Sequence, residues 1–233
     1  MAEVSTINAD LSLKRDSVPF NVLNDKEFEL VKRTHTVEFF NAGELIYNES
    51  DKADGIRLLI CGKVKIFKRG INGKEQIVKM ASANDFVGYR AVFAEELHTT
   101  SAMTLEPSKL FFIPSDTIFK LFNSNSQLAT FIVKSIAVEL SFSRYRSVSL
   151  SQKQIRGRLA ESLLVLRDKY GYIKGNQLNI SLSREDLANL SNMTASNAVR
   201  TLAAFVSEKI IDVHSREIYI LNEPALERIS RMG

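Results

Sequence analysis

One stretch limits what this chain can be: residues 182–211, LSREDLANLSNMTASNAVRTLAAFVSEKII. Its spacing predicts two short helices joined by a tight turn. Ser183 stands where it can cap the first helix, with Asp186 three residues on to return the bond. Leu187, Ala188 and Leu190 form that helix's inner side. Asn192 falls at the turn, and asparagine is the non-glycine residue that best tolerates the left-handed conformation needed there. Thr194 can cap the second helix through its hydroxyl. On that helix Ala198, Leu202 and Phe205 recur at i, i+4 and i+7 and face inward. At about 100° per residue, Ser196 and Arg200 then land nearly opposite Ala198. A hydroxyl and a guanidinium therefore project near the start of a helix slim enough for a DNA major groove. The alternative is an ordinary helical hairpin, since motif matches of this kind also arise by chance.

The residues C-terminal to the motif favour the DNA-reading form. Residues 210–214 (IIDVH) and 218–221 (IYIL) are two β-rich runs around Ser215, Arg216 and Glu217, the pattern of a hairpin. A helix pair backed by a small hairpin is a winged helix. His214 and Arg216 stand at the wing tip, where backbone phosphates come within reach, although solvated loop residues would look the same. Pro224 opens a last short helix over 225–230, at the position where proline is tolerated.

The chain of 233 residues is long enough for two modest domains. No apolar run reaches the length that crosses a bilayer, so no membrane partner is expected. The first residues, MAEVSTINADLSLKRDS, lack a basic start followed by an apolar core and read as a loose polar arm, not a secretory signal. The lone Cys61 excludes an intramolecular disulfide and any four-cysteine zinc or iron–sulfur site within one chain, which fits a cytoplasmic location. Cys61 itself reads as a small buried hydrophobe. The net charge of +4 is mild, but it is unevenly spread. Between Glu139 and Glu161 there is no acid, while Arg144, Arg146, Lys153, Arg156 and Arg158 all lie there. A basic stretch beside a reading helix suits phosphate contact, though a solvated helix face has the same composition.

Residues 25–34 predict a short helix with Phe28 and Val31 inward. From residue 36 the character turns to β, with glycines punctuating short runs rich in Val, Ile, Phe and Tyr. The expected strands are 37–40, 44–47, 57–60, 63–68, 76–80, 101–105 and 110–113. The run 63–68 (KVKIFK) alternates as a half-buried strand does, with Val64 and Phe67 not quite in phase, and Asn72-Gly73 marks a hairpin turn. Many short strands at near-regular spacing indicate a sandwich or roll, closed enough to hold a small ligand.

A short helix over 115–122 and a long one from about 124 to 150 come next. On the long helix Phe131, Val138 and Tyr145 repeat every seven residues, and Ser135 and Phe142 fill the interleaved position. Ile132, Ile136 and Leu140 form a second row. Two stripes need two partners, and we read one as resting on the roll and the other as meeting the same helix of a second subunit. A fully buried helix inside one monomer is the alternative. A homodimer would set two reading helices on two half-sites one turn apart.

The order of these parts resembles the bacterial Crp/Fnr family of transcription regulators, over nearly the whole chain. In the roll the resemblance is carried by Asn41-Ala42-Gly43-Glu44, Leu59-Ile60-Cys61-Gly62-Lys63-Val64, Gly73-Lys74-Glu75 and Asn84-Asp85-Phe86-Val87-Gly88. In the C-terminal half it is carried by residues 183–200. It implies an α+β chain, with a cyclic-nucleotide-binding-like β-roll (a jelly roll), a dimerisation helix and a C-terminal winged helix-turn-helix. The expected divisions are 1–114, 115–150 and 151–233. It further implies a homodimer that binds palindromic promoter DNA, meets RNA polymerase there, and answers to an effector in the roll. DNA contacts are expected from Ser183, Thr194, Ala195, Ser196, Asn197 and Arg200. Of these Arg200 is the base contact to back, on a guanine, because serine bonds several bases and alanine only touches a thymine methyl.

The chain departs from the family's cyclic-AMP-binding members where the ligand would sit. Those members follow the roll's glycine with a glutamate that holds the ribose; here Gly88 is followed by Tyr89 and Arg90. They place an arginine before Ser-Ala to neutralise the phosphate; here Thr100 precedes Ser101 and Ala102. Losing that charge-assisted bidentate contact costs on the order of several kcal/mol once desolvation is counted. Ordinary cyclic-nucleotide binding is therefore not expected; Arg90 reaching in as a substitute is the minority alternative. Oxygen-sensing members need a cluster of N-terminal cysteines, which Cys61 alone cannot supply. A haem-based gas sensor would need an axial ligand such as His98, and a cupin-like metal enzyme would need two histidines and a carboxylate together. His35 and His98 are isolated in sequence, so neither a catalytic set nor a metal set is assigned, and any cofactor is left unidentified.

Overall fold

The computed structural model describes residues 19–233, so the expected polar arm lies outside the described residues. A single 3-10 turn, Phe20–Val22, leads into α1 (Asp25–Thr34). Asn24 and Glu27 close a reciprocal capping box there, each side chain accepting from the other's backbone N–H at 3.0 Å. The next strands are β1 (Thr36–Phe40), β2 (Leu45–Tyr47), β3 (Gly55–Cys61), β4 (Val64–Arg69), β5 (Glu75–Ala81) and β6 (Phe86–Val87). After α2 (Tyr89–Ala94) come β7 (Ser101–Thr104) and β8 (Ser108–Pro114). They form two four-stranded sheets, ordered β1-β8-β3-β6 and β2-β7-β4-β5, which make the expected roll. β8 is the spine of the first sheet: Val37 opposes Phe111 on one side and Leu58 opposes Phe111 on the other. Three helices then run in succession, α3 (Ser115–Ser124), α4 (Ser126–Gln152) and α5 (Ile155–Tyr170). The helix pair α6 (Arg184–Leu190) and α7 (Ala195–Ser207), the hairpin β9 (Ile211–His214) and β10 (Glu217–Ile220), and α8 (Glu223–Met232) complete the chain.

Three elements were not anticipated. β6 has two residues, too few to show a period. α2 has six and starts at Gly88 in a left-handed conformation, φ 82°, which reads as a turn. α5 is buried at Gly157, Leu159, Ala160, Glu161, Ser162, Leu163 and Leu166, so no single apolar stripe announces it. The expectation of an alternating strand at 63–68 is corrected as well: Val64, Lys65, Ile66 and Phe67 are all buried. A strand covered on both faces loses the alternation, and the lysine in that run is buried because carboxylates meet it.

By density of contacts the chain divides into two units, 1–64 with 81–138, and 65–80 with 139–233. The first packs Ile56, Leu58, Phe111 and Ile113 of the sheet against Ile118 and Leu121 of α3 and Ile132 of α4. In the second, α5 lies against α8, α6 and α7. Gly157 lets the chain close there, since a Cβ would stand 2.6 Å from the carbonyl carbon of Gly233. Glu161 ties α4 to α5, accepting from Ser149 Oγ and, at 3.0 Å, from Lys153 Nζ. Burial alone would raise the pKa of Glu161, but the bonds from Ser149, Lys153 and Tyr145 outweigh it and hold the carboxyl below its ordinary value.

A carboxyl depressed in the folded state stabilises above its unfolded pKa, and that contribution fades as pH falls through the folded value. Glu161→Ala should therefore cost about 3 kcal/mol near neutral pH, by leaving Lys153 without its buried partner. The stability difference between variant and parent should shrink as pH falls below the ordinary carboxylate range and through the depressed pKa of Glu161. Urea titrations at a series of pH values check this, and a pH-independent difference would refute it.

Candidate nucleic-acid interface

The helix pair forms for the reasons its sequence supplies. Ser183 Oγ accepts from Asp186 N at 2.9 Å and donates to Asp186 Oδ2 at 2.6 Å. Leu187, Ala188 and Leu190 are buried, and Asn192 takes the left-handed turn with φ 50°. Met193 N donates to Ala188 O at 3.0 Å across that turn. Thr194 caps α7 by accepting from Asn197 N at 3.3 Å. Ala198, Leu202 and Phe205 are buried as expected from their spacing.

With that face fixed inward, Ala195, Ser196 and Arg200 are exposed. Arg200 Nη2 donates to Asn197 Oδ1 at 2.6 Å, so Asn197, itself half-buried, steers the guanidinium one turn along. Ser196 Oγ lies 3.2 Å from Thr194 Oγ1. Sequence reasoning missed Val199, which is 48% exposed between Ser196 and Arg200 on the same face. Its signal was available: an apolar residue off the Ala198–Leu202–Phe205 row has nothing to pack on. A methyl-bearing side chain there can touch a thymine methyl, beside a guanidinium suited to guanine O6 and N7.

The basic stretch turns out to be mostly engaged. Arg146 is buried and donates to Leu190 O. Lys153 pairs with Glu161, and Arg156 pairs with Glu208 while its guanidinium lies 4.8 Å from the Phe205 ring centre. What stays open is a groove of about 560 Å3 lined by Lys153, Arg156, Arg158, Arg200 and Thr201, among others. Among the described residues neither Arg158 nor Arg200 has a carboxylate partner. At the wing tip, His214 Nε2 sits 3.1 Å from Asp212 Oδ2, Arg184 donates to Ser215 O, and Arg216 is exposed.

The candidate effector residues each have neighbours of their own. Arg90 is turned to Glu96 at 3.3 Å and to Thr99 Oγ1 at 2.8 Å. Ser101 Oγ accepts from Glu49 N at 2.9 Å, Thr100 is half-buried and Tyr89 is buried. The space beside Gly88 belongs to His98, whose ring stacks on Tyr47 at 3.8 Å between centres; a Cβ on Gly88 would meet His98 Cε1 at 3.1 Å. Burial, and then the charge of Arg57, pull the pKa of His98 down, and its Nε2 has no hydrogen-bond partner among the described residues. His35 instead closes α1, with Nδ1 3.0 Å from Val31 O. Among the described residues no cluster of three His, Cys, Asp or Glu side chains could hold a metal.

Of the α4 residues expected at a subunit seam, Phe131 packs edge-on to Phe86 at 6.2 Å, Ser135 Oγ donates to Phe131 O, and Phe142 is half-buried. Val138 and Tyr145 are exposed, at 69% and 55%. The remaining exposed apolar residues of this helix are Val133, Ile136, Leu140 and Val148.

A capped helix pair with a cationic, outward reading face, backed by a two-stranded wing, defines a winged helix-turn-helix DNA-binding module. Residues 157–229 match the Crp-like helix-turn-helix domain, and residues 37–125 match the cyclic nucleotide-binding domain. Among curated proteins, the chain is 24% identical over 204 residues to the CRP-like cAMP-activated global transcriptional regulator of Mycobacterium tuberculosis, covering 87% of this chain and 91% of that one. It is 24% identical over 227 residues to the fumarate and nitrate reduction regulatory protein of Vibrio cholerae, covering 95% and 89%. Among solved structures, FixK2 from Bradyrhizobium japonicum superposes with a TM-score of 0.77 at 20% identity, over 84% of this chain and 97% of that one. A CooA mutant from Carboxydothermus hydrogenoformans gives 0.75 at 16% identity, over 94% and 98%. The chain belongs to the Crp/Fnr family of transcription regulators, with DNA as its partner. No helix among the described residues is long and apolar enough to cross a membrane.

Arg158 lies in the open groove, off α7 and without a carboxylate partner among the described residues, so it should act on phosphate and not on sequence. Arg158→Gln is expected to lower the slope of log affinity against log salt by about 0.9, equally for any duplex. Salt titrations on two unrelated duplexes check this; a loss confined to one of them would contradict it.

Proposed function

We propose that this protein is a homodimeric regulator that reads palindromic promoter DNA through α7 and answers to something other than cyclic AMP in its roll. The observation that carries the reading is Arg200: exposed, opposite the buried Ala198, and steered by Asn197 at 2.6 Å. Ser196 and Val199 flank it, so each half-site is expected to hold a guanine beside a thymine. Ser183 and Thr194, as the two helix caps, face backbone phosphate, as does the basic groove. The family resemblance adds a contact with RNA polymerase at the promoter.

Pairing of two copies is supported by the apolar row that α4 leaves open. Val133 and Leu140 are seven residues apart with Ile136 between them, the spacing of a two-helix seam. We therefore assign the seam to Val133, Ile136 and Leu140, with Val148 at its border, in place of one centred on Phe131 and Phe142.

Arg200→Ala is expected to lose about 1–3 kcal/mol of discrimination at each half-site while fold and subunit pairing persist. Footprinting that shows the variant protecting the same sequence with equal affinity would defeat the reading. Leu140→Glu is expected to run as a monomer in light scattering. Calorimetric titration with cyclic AMP and cyclic GMP should give no saturable heat; tight binding of either would overturn the assignment of the roll.

A further inference from the structure

The first helix of the pair is held from outside at three points on one face. Lys65 Nζ, on β4, lies 2.7 Å from Asp186 Oδ1 and 3.1 Å from Glu75 Oε2. Gln76 Nε2, on β5, donates to Asn189 O at 2.7 Å. Arg146 donates to Leu190 O. Asp186, Asn189 and Leu190 stand at i, i+3 and i+4, so they share one side of α6. The two carbonyls belong to the helix's last turn, where no intrahelical donor is left for them.

We propose that Lys65 and Gln76, on the hairpin of β4 and β5, are positioning residues for DNA reading that act through α6. The proposal rests on α7 being the reading helix. Lys65 is 8% exposed, and a buried ammonium is tolerated only where carboxylates meet it. One of its two carboxylates is Asp186, 121 residues away, so the lysine is fully satisfied only while α6 sits where it does. Burial would lower the pKa of Lys65, but Asp186 and Glu75 raise it, which keeps the charge in place. The turn from Ala188 to Met193 makes α6 and α7 one rigid piece, so a tilt of α6 carries Arg200 with it. The same contact explains why a lysine interrupts a buried strand.

The test uses the full chain. A duplex is first selected from a random-sequence library by the wild-type protein, and a scrambled duplex of the same composition is the control. Lys65→Met should weaken the selected duplex about tenfold and the scrambled one by less than about twofold, because orientation matters only for base contact. Lys65→Arg should restore affinity. Gln76→Leu, which removes the neutral bonds to Asn189 O and Ile77 O and spares the buried charge, should show the same pattern more weakly. Amide hydrogen exchange at residues 185–191 should quicken in Lys65→Met while the roll is unchanged. Equal losses on both duplexes, no loss on either, or failure of the arginine to restore would overturn the proposal. Should the wild type select no duplex, the DNA reading itself fails; the exchange experiment then decides alone, and unchanged rates at 185–191 refute the positioning role.

Discussion

Burial of Ala198, Leu202 and Phe205 is the constraint on which DNA reading by this protein depends. A helix with one face fixed against its neighbours has no freedom to choose what it shows to solvent. Because Ala198 is fully buried, Ser196, Val199 and Arg200 must point outward together. The two caps on Ser183 and Thr194 and the left-handed Asn192 then set where that face begins. The face is set by packing, two side-chain caps and one left-handed turn residue.

Those devices are local, which is why the helix pair was legible from sequence. Caps, turn residues and a three-point apolar row each act within a few positions, and all agreed. The elements that escaped were fixed by distant partners. α5 is surrounded, so its polar residues, Glu161 above all, are buried against Ser149 and Lys153 and blur its period. Lys65 looked like one polar tooth of an alternating strand, and only Asp186, far along the chain, shows it to be buried. The acid-free run from 140 to 160 looked like an open basic face, yet Arg146 is spent on Leu190 O and Arg156 on Glu208. A charge run reports composition; its partners lie elsewhere in the sequence.

In the roll, the surroundings of Gly88 underlie the proposed change of ligand chemistry. The turn at Gly88 is preserved in form, with φ 82°, and leads directly into a helix. Beside it lies Tyr47 stacked on His98, and Arg90 meets Glu96 and Thr99. Ser101 Oγ, at the start of β7, already accepts from Glu49 N. Of the two residues at which the sequence departs, Tyr89 is buried and Thr100 half-buried.

Magnitudes decide whether one copy of this chain could do the work alone. Specific regulators exceed their own non-specific binding by about 4–10 kcal/mol. A bidentate arginine on guanine supplies about 1–3, and a valine on a thymine methyl adds less. One half-site therefore falls short, and phosphate contacts from the basic groove do not help, since they strengthen every sequence alike. Two half-sites read at once bring the base contacts to about 2–6 kcal/mol, with the sequence-dependent cost of shaping the DNA between them free to supply the remainder. On the proposed pairing, the open apolar row on α4 would let two copies supply together the base contacts that one half-site falls short of.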